Sequence, residues 1–150
     1  MRVCASLRDP IPERSFRRKL LCQVGRENGK AGIDGMAADD GHNALVSTFY
    51  CPSNSFFEQD PPQDLVWLFP PDDLTGLLLD FLEDTRKQGI SYKALILVPE
   101  QVRAPWFRFC STYKRVARFR KGSDLFRMYE DERWVKAPAA RVPYMVLSLL

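Results

Sequence analysis

One segment, residues 64–99, constrains the fold more than any other part of the chain. It starts with a short apolar run, 64–69, which a double proline at 70–71 closes, as expected of a buried strand. An amphipathic helix pattern follows and ends at Gly89. The next run, 93–98, is continuously apolar, which is typical of a strand covered on both faces. A helix between two such strands predicts a parallel, right-handed strand–helix–strand unit.

The two prolines and Pro99 mark the ends of these strands. Ligands of parallel sheets bind beyond the carboxyl ends of the strands, so both proline-marked loops lie where chemistry would occur. Asp72 or Asp73 is placed to cap the helix between the strands.

The rest of the chain predicts an α/β fold with a small, mostly parallel sheet and an antiparallel edge. Strand-like runs at 115–120 and 124–129 flank the turn Lys121-Gly122-Ser123, and an apolar run at 142–150 predicts a final strand. Residues 1–30 are interpreted as a basic, largely irregular leader in which a short helix is the one regular element. Residues 31–150 then form the domain, which suits a chain of 150 residues.

Charge is distributed unevenly along the chain. The formal net charge is +3, but residues 1–30 carry +5, residues 31–100 carry −9 and residues 101–150 carry +7. Basic segments of this kind could contact phosphates, or they could face the acidic segment and neutralise it. The sequence leaves both interpretations open.

Cysteine and histidine usage argues against several chemistries. The four cysteines are widely spaced and His42 is the single histidine, so we expect no zinc site and no disulfide framework. There is no run of eighteen apolar residues and no apolar core near the N-terminus, so neither a membrane span nor a secretory signal is expected. These features favour an intracellular protein of the cytoplasm or nucleus.

Several ordered motifs carry a family resemblance. The run Val66-Trp67-Leu68-Phe69-Pro70-Pro71 is followed by a helix, a strand ending in Val98-Pro99, the trio Pro105-Trp106-Phe107 and the run 122–126. Upstream lie 33–38, 43–45 and Phe49-Tyr50. In this order they resemble the DNA N-6-adenine methyltransferases of phages and retroelements. The resemblance covers about residues 31–150 and implies a truncated, Rossmann-like methyltransferase fold, with S-adenosylmethionine as cofactor and DNA as partner.

The resemblance also implies roles for the double-proline motif. In that family an Asn or Asp and the following Pro carbonyl accept the two amino hydrogens of adenine, and the last aromatic of the motif stacks on the flipped base. The corresponding catalytic positions here are Phe69, Pro70, Pro71 and Asp72. Phe69 replaces the acceptor and Asp72 replaces the aromatic, and losing a positioned acceptor costs on the order of 10²–10³ in rate. We therefore expect an eroded active site.

Other positions follow from the same resemblance. Asp34 and Ala37 are the candidates for contacting the methyl donor, although Asp34-Gly35 is equally well explained as a turn. Independently of the resemblance, a basic stretch with interleaved aromatics is explained either as a solvated face, with Trp106 packed against the sheet, or as a surface that contacts nucleic acid. The candidate nucleic-acid contacts are Arg103, Trp106, Arg118, Arg120 and Lys121.

Three hypotheses for function follow. The first is a working DNA adenine methyltransferase, in which a neighbouring acceptor replaces the missing one. The second is a non-catalytic nucleic-acid-binding relic, or a part of a mobile-element polyprotein. The third is an interaction domain whose basic ends bind an acidic partner. Erosion of the motif favours the second and third over retained activity.

Overall fold

The computed structural model describes residues 14–149. The chain forms β1 (Arg14–Phe16), α1 (Arg18–Asn28), β2 (Ile33–Asp34), β3 (Val66–Leu68), α2 (Thr75–Lys87), β4 (Ala94–Pro99), β5 (Lys114–Phe119), β6 (Phe126–Glu130), β7 (Arg133–Lys136) and β8 (Tyr144–Ser148). Short 3-10 helices occupy Phe56–Glu58, Asp72–Leu74 and Pro105–Thr112.

The strands form two sheets. The larger has the order β2-β3-β4-β8-β5, and the smaller has the order β1-β6-β7. In the larger sheet β2, β3 and β4 are parallel neighbours, whereas β8 runs antiparallel to both β4 and β5. The parallel pairing of β3 and β4, joined by α2, confirms the strand–helix–strand unit expected over 64–99.

The expectation of a mostly parallel, Rossmann-like sheet with an antiparallel edge is wrong. Two of the four neighbouring pairs in the larger sheet are antiparallel, and the reversed strand β8 lies second from the edge. The smaller sheet is wholly antiparallel. An apolar run such as 142–150 indicates burial but not direction, because its pattern is the same whichever way the strand runs.

Two further expectations change for local reasons. The turn at 121–123 exists, with Gly122 at φ +90°, but β5 and β6 on either side of it belong to different sheets. Leu74 occupies the N-cap position of α2, and Asp72 and Asp73 lie in the 3-10 helix that precedes it. Their carboxylates still stand near the positive end of the helix dipole.

Residues 14–28, which the sequence placed in an irregular leader, form β1 and α1. Phe16, Leu21 and Val24 are buried in the same apolar cluster as Trp67 and Leu95 of the larger sheet. The part of the leader before residue 14, with Cys4, lies outside the described residues. Phe16 and the inner side of α1 are therefore parts of the folded core.

Each face of the larger sheet carries its own apolar cluster. On one face α2 packs against Leu68, Ile96 and Met145. On the other, Trp67 stacks on Phe16 of the smaller sheet with ring centroids 5.0 Å apart. The larger sheet is thus covered on both sides, by a helix and by a second sheet.

Candidate functional site

Four strands of the larger sheet end at the same edge. Because β8 is antiparallel to both β4 and β5, β5 runs in the direction of β2, β3 and β4. Pro99 and Phe119 both lie opposite Tyr144 in the register. The residues that directly follow these four strands therefore share one edge, here named the carboxyl edge. Most residues that the sequence singled out belong to it.

The double-proline corner lies at this edge, directly after β3. The ring of Phe69 stacks on Phe126 of the smaller sheet, with centroids 5.3 Å apart and planes 9° from parallel. Pro70 is buried, and the carbonyl of Pro71 accepts a hydrogen bond from the Leu74 amide (2.9 Å). Phe69 is thus an apolar contact between the two sheets.

This arrangement bears on the catalytic prediction. A phenyl ring accepts no conventional hydrogen bond, so Phe69 cannot hold an adenine amino group, and one face of its ring is already covered. Asp72, which stands where the family has its stacking aromatic, is exposed in the 3-10 helix. Catalytic roles for Phe69, Pro70, Pro71 and Asp72 stay a prediction that the local packing does not favour.

Asp34 ends β2 at the same edge and is 5% exposed. Its carboxylate accepts hydrogen bonds from the backbone amides of Met36 (3.1 Å, to Oδ1) and Leu45 (3.0 Å, to Oδ2). Burial raises the pKa of Asp34, and the two amide hydrogen bonds partly oppose that rise. Through these two hydrogen bonds, the carboxylate holds the loop after β2 against the sheet.

The residues predicted to contact S-adenosylmethionine do not fit that role. Both carboxylate oxygens of Asp34 serve its own loop, and Ala37 is 5% exposed with its amide donated to the Tyr50 carbonyl (2.9 Å). A methyl donor would need exposed hydrogen-bonding groups at this position. The assignment stays a prediction without support from the local geometry.

Arg118 lies on β5, the edge strand, and is held by Glu100, which directly follows β4. The guanidinium donates from Nε to Oε1 (2.8 Å) and from Nη2 to Oε2 (3.1 Å), while Arg115 Nη1 lies 3.9 Å from Oε1. The hydrogen bond from Arg118 lowers the pKa of Glu100. In the sequence, Glu100 is recognisable only as the residue after a strand that ends in Pro99. Its pairing with Arg118, 18 residues away, could not be deduced from the spacing.

The other predicted nucleic-acid contacts divide into two groups. Arg120 and Lys121 are exposed in the turn after β5, and Arg103 is exposed in the loop after β4. Trp106 is half-buried and packs on α2, where a Cβ added at Gly76 would lie 3.2 Å from its Cδ1 atom. The three cations are therefore accessible, whereas Trp106 mainly packs against the helix.

Among residues 14–149, no group of three or more His, Cys, Asp or Glu side chains could hold a metal ion. Within the same residues, no helix is long and apolar enough to cross a bilayer. No family model matches the chain. A search of curated proteins also finds no match. The case for a function therefore rests on the site itself.

Proposed function

We propose that this chain is a nucleic-acid-binding domain that does not transfer methyl groups. One observation carries the proposal: cations follow one another along the edge strand β5 and the turn after it, all of them exposed. They are Lys114, Arg115, Arg118, Arg120 and Lys121, here named the cationic strand.

The length of this surface suits a phosphate backbone. A strand rises about 3.3 Å per residue, so β5 alone extends over roughly 17 Å. One strand of duplex DNA carries a negative charge about every 3.4 Å along its axis, so the cationic strand matches roughly five phosphates. Among residues 14–149, β5 is the last strand of its sheet and no further strand pairs with its outer side.

The charges of the cationic strand are not all available. Glu100 binds Arg118 and approaches Arg115, which leaves a positive balance on this part of the edge. Lys114, Arg120 and Lys121 have no ion pair within residues 14–149. These three cations are the ones expected to release counterions from a nucleic acid.

The absence of methyl transfer follows from Phe69. Transfer to adenine needs an acceptor that positions the amino group, and the residue at that position contributes a ring stacked on Phe126. Asp34 and Ala37 provide no exposed group for the donor. We therefore propose that the chain binds nucleic acid, as the resemblance implies, but does not methylate it.

Two alternative roles for the cationic strand lead to different results. Charges on an edge strand prevent pairing with other chains, and a purely protective role predicts no affinity for DNA. An acidic protein partner would also be attracted by these cations. Binding of such a partner predicts that polyglutamate competes as well as DNA at equal charge.

The experiment is a fluorescence anisotropy titration of labelled 20-base-pair DNA at several salt concentrations. We compare the wild type with Arg120→Gln/Lys121→Gln and with a matched control, Arg133→Gln/Lys136→Gln, on the smaller sheet. Two lost phosphate contacts should lower the slope of log K against log[salt] by about 1.8, and the control should leave it unchanged. Absence of DNA binding, or equal competition by polyglutamate, would refute the nucleic-acid role.

A second assay tests the non-catalytic part. Wild-type protein is incubated with adenine-containing DNA and S-adenosylmethionine labelled in its methyl group. We expect no label on the DNA above that of a heat-denatured control. Incorporation above this level would show that a neighbouring group replaces the missing acceptor.

A further inference from the structure

A second site lies at the opposite edge of the larger sheet. An open cleft of about 390 Å³ is bounded by the last turns of α2, by residues 90–92, by residues 112–114 and by the end of β8. It lies where β4 and β5 begin, so it is separated from the carboxyl edge by the length of the strands. Its volume is in the range of small-molecule sites.

One part of the cleft wall is apolar. Leu82, Ile90 and Leu149 line it together with the aromatic residues Tyr92 and Tyr113. Such a wall favours a ligand with an apolar or aromatic part, because burying apolar surface drives association.

Two cations also line the cleft. Arg86 donates from Nε and Nη2 to the carboxylate of Glu83, which leaves its Nη1 group without a hydrogen bond among the described residues. Glu83 is 7% exposed, and the hydrogen bond from Arg86 lowers its pKa, so the pair stays charged and fixes the guanidinium. Lys114 is exposed and has no ion pair within the described chain. Together the side chains of Arg86, Glu83 and Lys114 carry a formal net charge of +1.

The third element is the hydroxyl of Tyr113. It is buried and has no hydrogen-bond partner in the part of the chain that the structure describes. An unpaired buried hydroxyl lowers stability, so its retention calls for a physical reason. Burial raises the pKa of Tyr113, which keeps the hydroxyl a donor at neutral pH. Because Tyr113 also lines the cleft, a small movement of its ring on binding would bring the hydroxyl within reach of an acceptor oxygen of a ligand.

We propose that this cleft binds a small molecule in which one oxyanion, a phosphate or a carboxylate, is attached to an apolar or aromatic body. The oxyanion lies among Arg86, Lys114 and the Tyr113 hydroxyl, and the body contacts the apolar wall. Lys114 belongs both to this cleft and to the cationic strand, so the DNA test changes only Arg120 and Lys121, and the ligand test below changes Lys114 alone among the residues of that strand.

The test is an NMR titration of the ¹⁵N-labelled protein with phenyl phosphate, and with benzoate as the carboxylate source. We expect saturable shifts of the amides of residues 90–92 and 112–114. Inorganic phosphate lacks the body and benzyl alcohol lacks the charge, so each should bind at least about tenfold more weakly. Equal affinity for either compound, or no saturable shift at these amides, would overturn the proposal.

Two variants localise the oxyanion. Lys114→Gln should weaken phenyl phosphate about tenfold, whereas the matched control Lys136→Gln should leave its affinity unchanged. Tyr113→Phe keeps the ring and removes only the hydroxyl. It should weaken binding severalfold and raise the urea midpoint of the free protein, since an unpaired buried group is removed. A lowered midpoint with unchanged affinity would show that the hydroxyl is purely structural and would contradict the proposal.

Discussion

The stacked pair Phe69–Phe126 offers a quantitative test of the structure of the double-proline corner. Phe69→Leu and Phe126→Leu each remove one ring and keep an apolar side chain. Near-parallel rings 5.3 Å apart should show a coupling energy of about 0.5–1.5 kcal/mol beyond the area that they bury. Phe126→Leu should cost the more of the two, about 1–3 kcal/mol, because Phe126 is 2% exposed and also contacts Phe16 and Tyr144.

A double-mutant cycle in urea at 25 °C measures this coupling. The matched control pairs Phe69→Leu with Phe56→Leu, because Phe56 lies in the cluster on the other face of the sheet. The control pair should be additive within about 0.5 kcal/mol. A coupling between Phe69 and Phe126 below about 0.3 kcal/mol would mean that stacking does not hold the ring of Phe69 in place, and only the lack of a hydrogen-bond acceptor on Phe69 would then argue against catalysis.

Three further predictions concern other parts of the molecule. Burial raises the pKa of Cys110 to about 11, so iodoacetamide at pH 8 should label it far more slowly than the exposed Cys22, as peptide mass spectrometry can measure. The pKa of Glu100 is lower in the folded than in the unfolded protein, so its ionised carboxylate stabilises the fold at pH values above the pKa of the unfolded state. This contribution is lost as the pH falls through the pKa of the folded state. Glu100→Gln should therefore make the free energy of unfolding fall less steeply between pH 6 and 3. A Cβ at Gly35 would lie 2.4 and 2.9 Å from side-chain carbons, so Gly35→Ala should lower the free energy of unfolding by about 1–3 kcal/mol. A Cβ at Gly25 in α1 would make only an ordinary van der Waals contact. Gly25→Ala should therefore raise the free energy of unfolding by up to about 1 kcal/mol.

The sequence predicted correctly those elements whose signals lie within a short stretch of the chain. The unit over 64–99 could be predicted because prolines, a helical apolar face and two buried runs follow one another within 36 residues. Gly89 and Gly122 adopt positive φ in the turns that follow α2 and β5, as their positions indicate. In each case the signal and the structure that it predicts occupy the same short stretch of chain.

The failures have a common physical cause, which is pairing between distant segments. β8 lies between β4 and β5, and only tertiary packing determines that position. β1 pairs with β6, more than 100 residues away. β7 is a strand of only four residues with an exposed tryptophan, Trp134, and its sequence contains no apolar run that would predict a strand.

The candidate site shows the same division. Exposed cations after β5 were identifiable because charge is visible in sequence, whereas the burial of Asp34 was not. Its two amide partners, Met36 and Leu45, become close only when the loop closes over β2. Likewise, nothing in the run around Phe69 indicates that its ring meets Phe126 from the second sheet.

The salt dependence of DNA binding tests the central claim most directly. Contact between the cationic strand and phosphates predicts measurable binding whose log K falls steeply with log[salt], and a slope that Arg120→Gln/Lys121→Gln reduces by about 1.8. The contrary result is a slope that is the same in wild type and variant, or affinity that does not respond to salt. Either result would show that the cations beyond β5 contact no phosphate, which leaves them the role of preventing the edge strand from pairing with other chains.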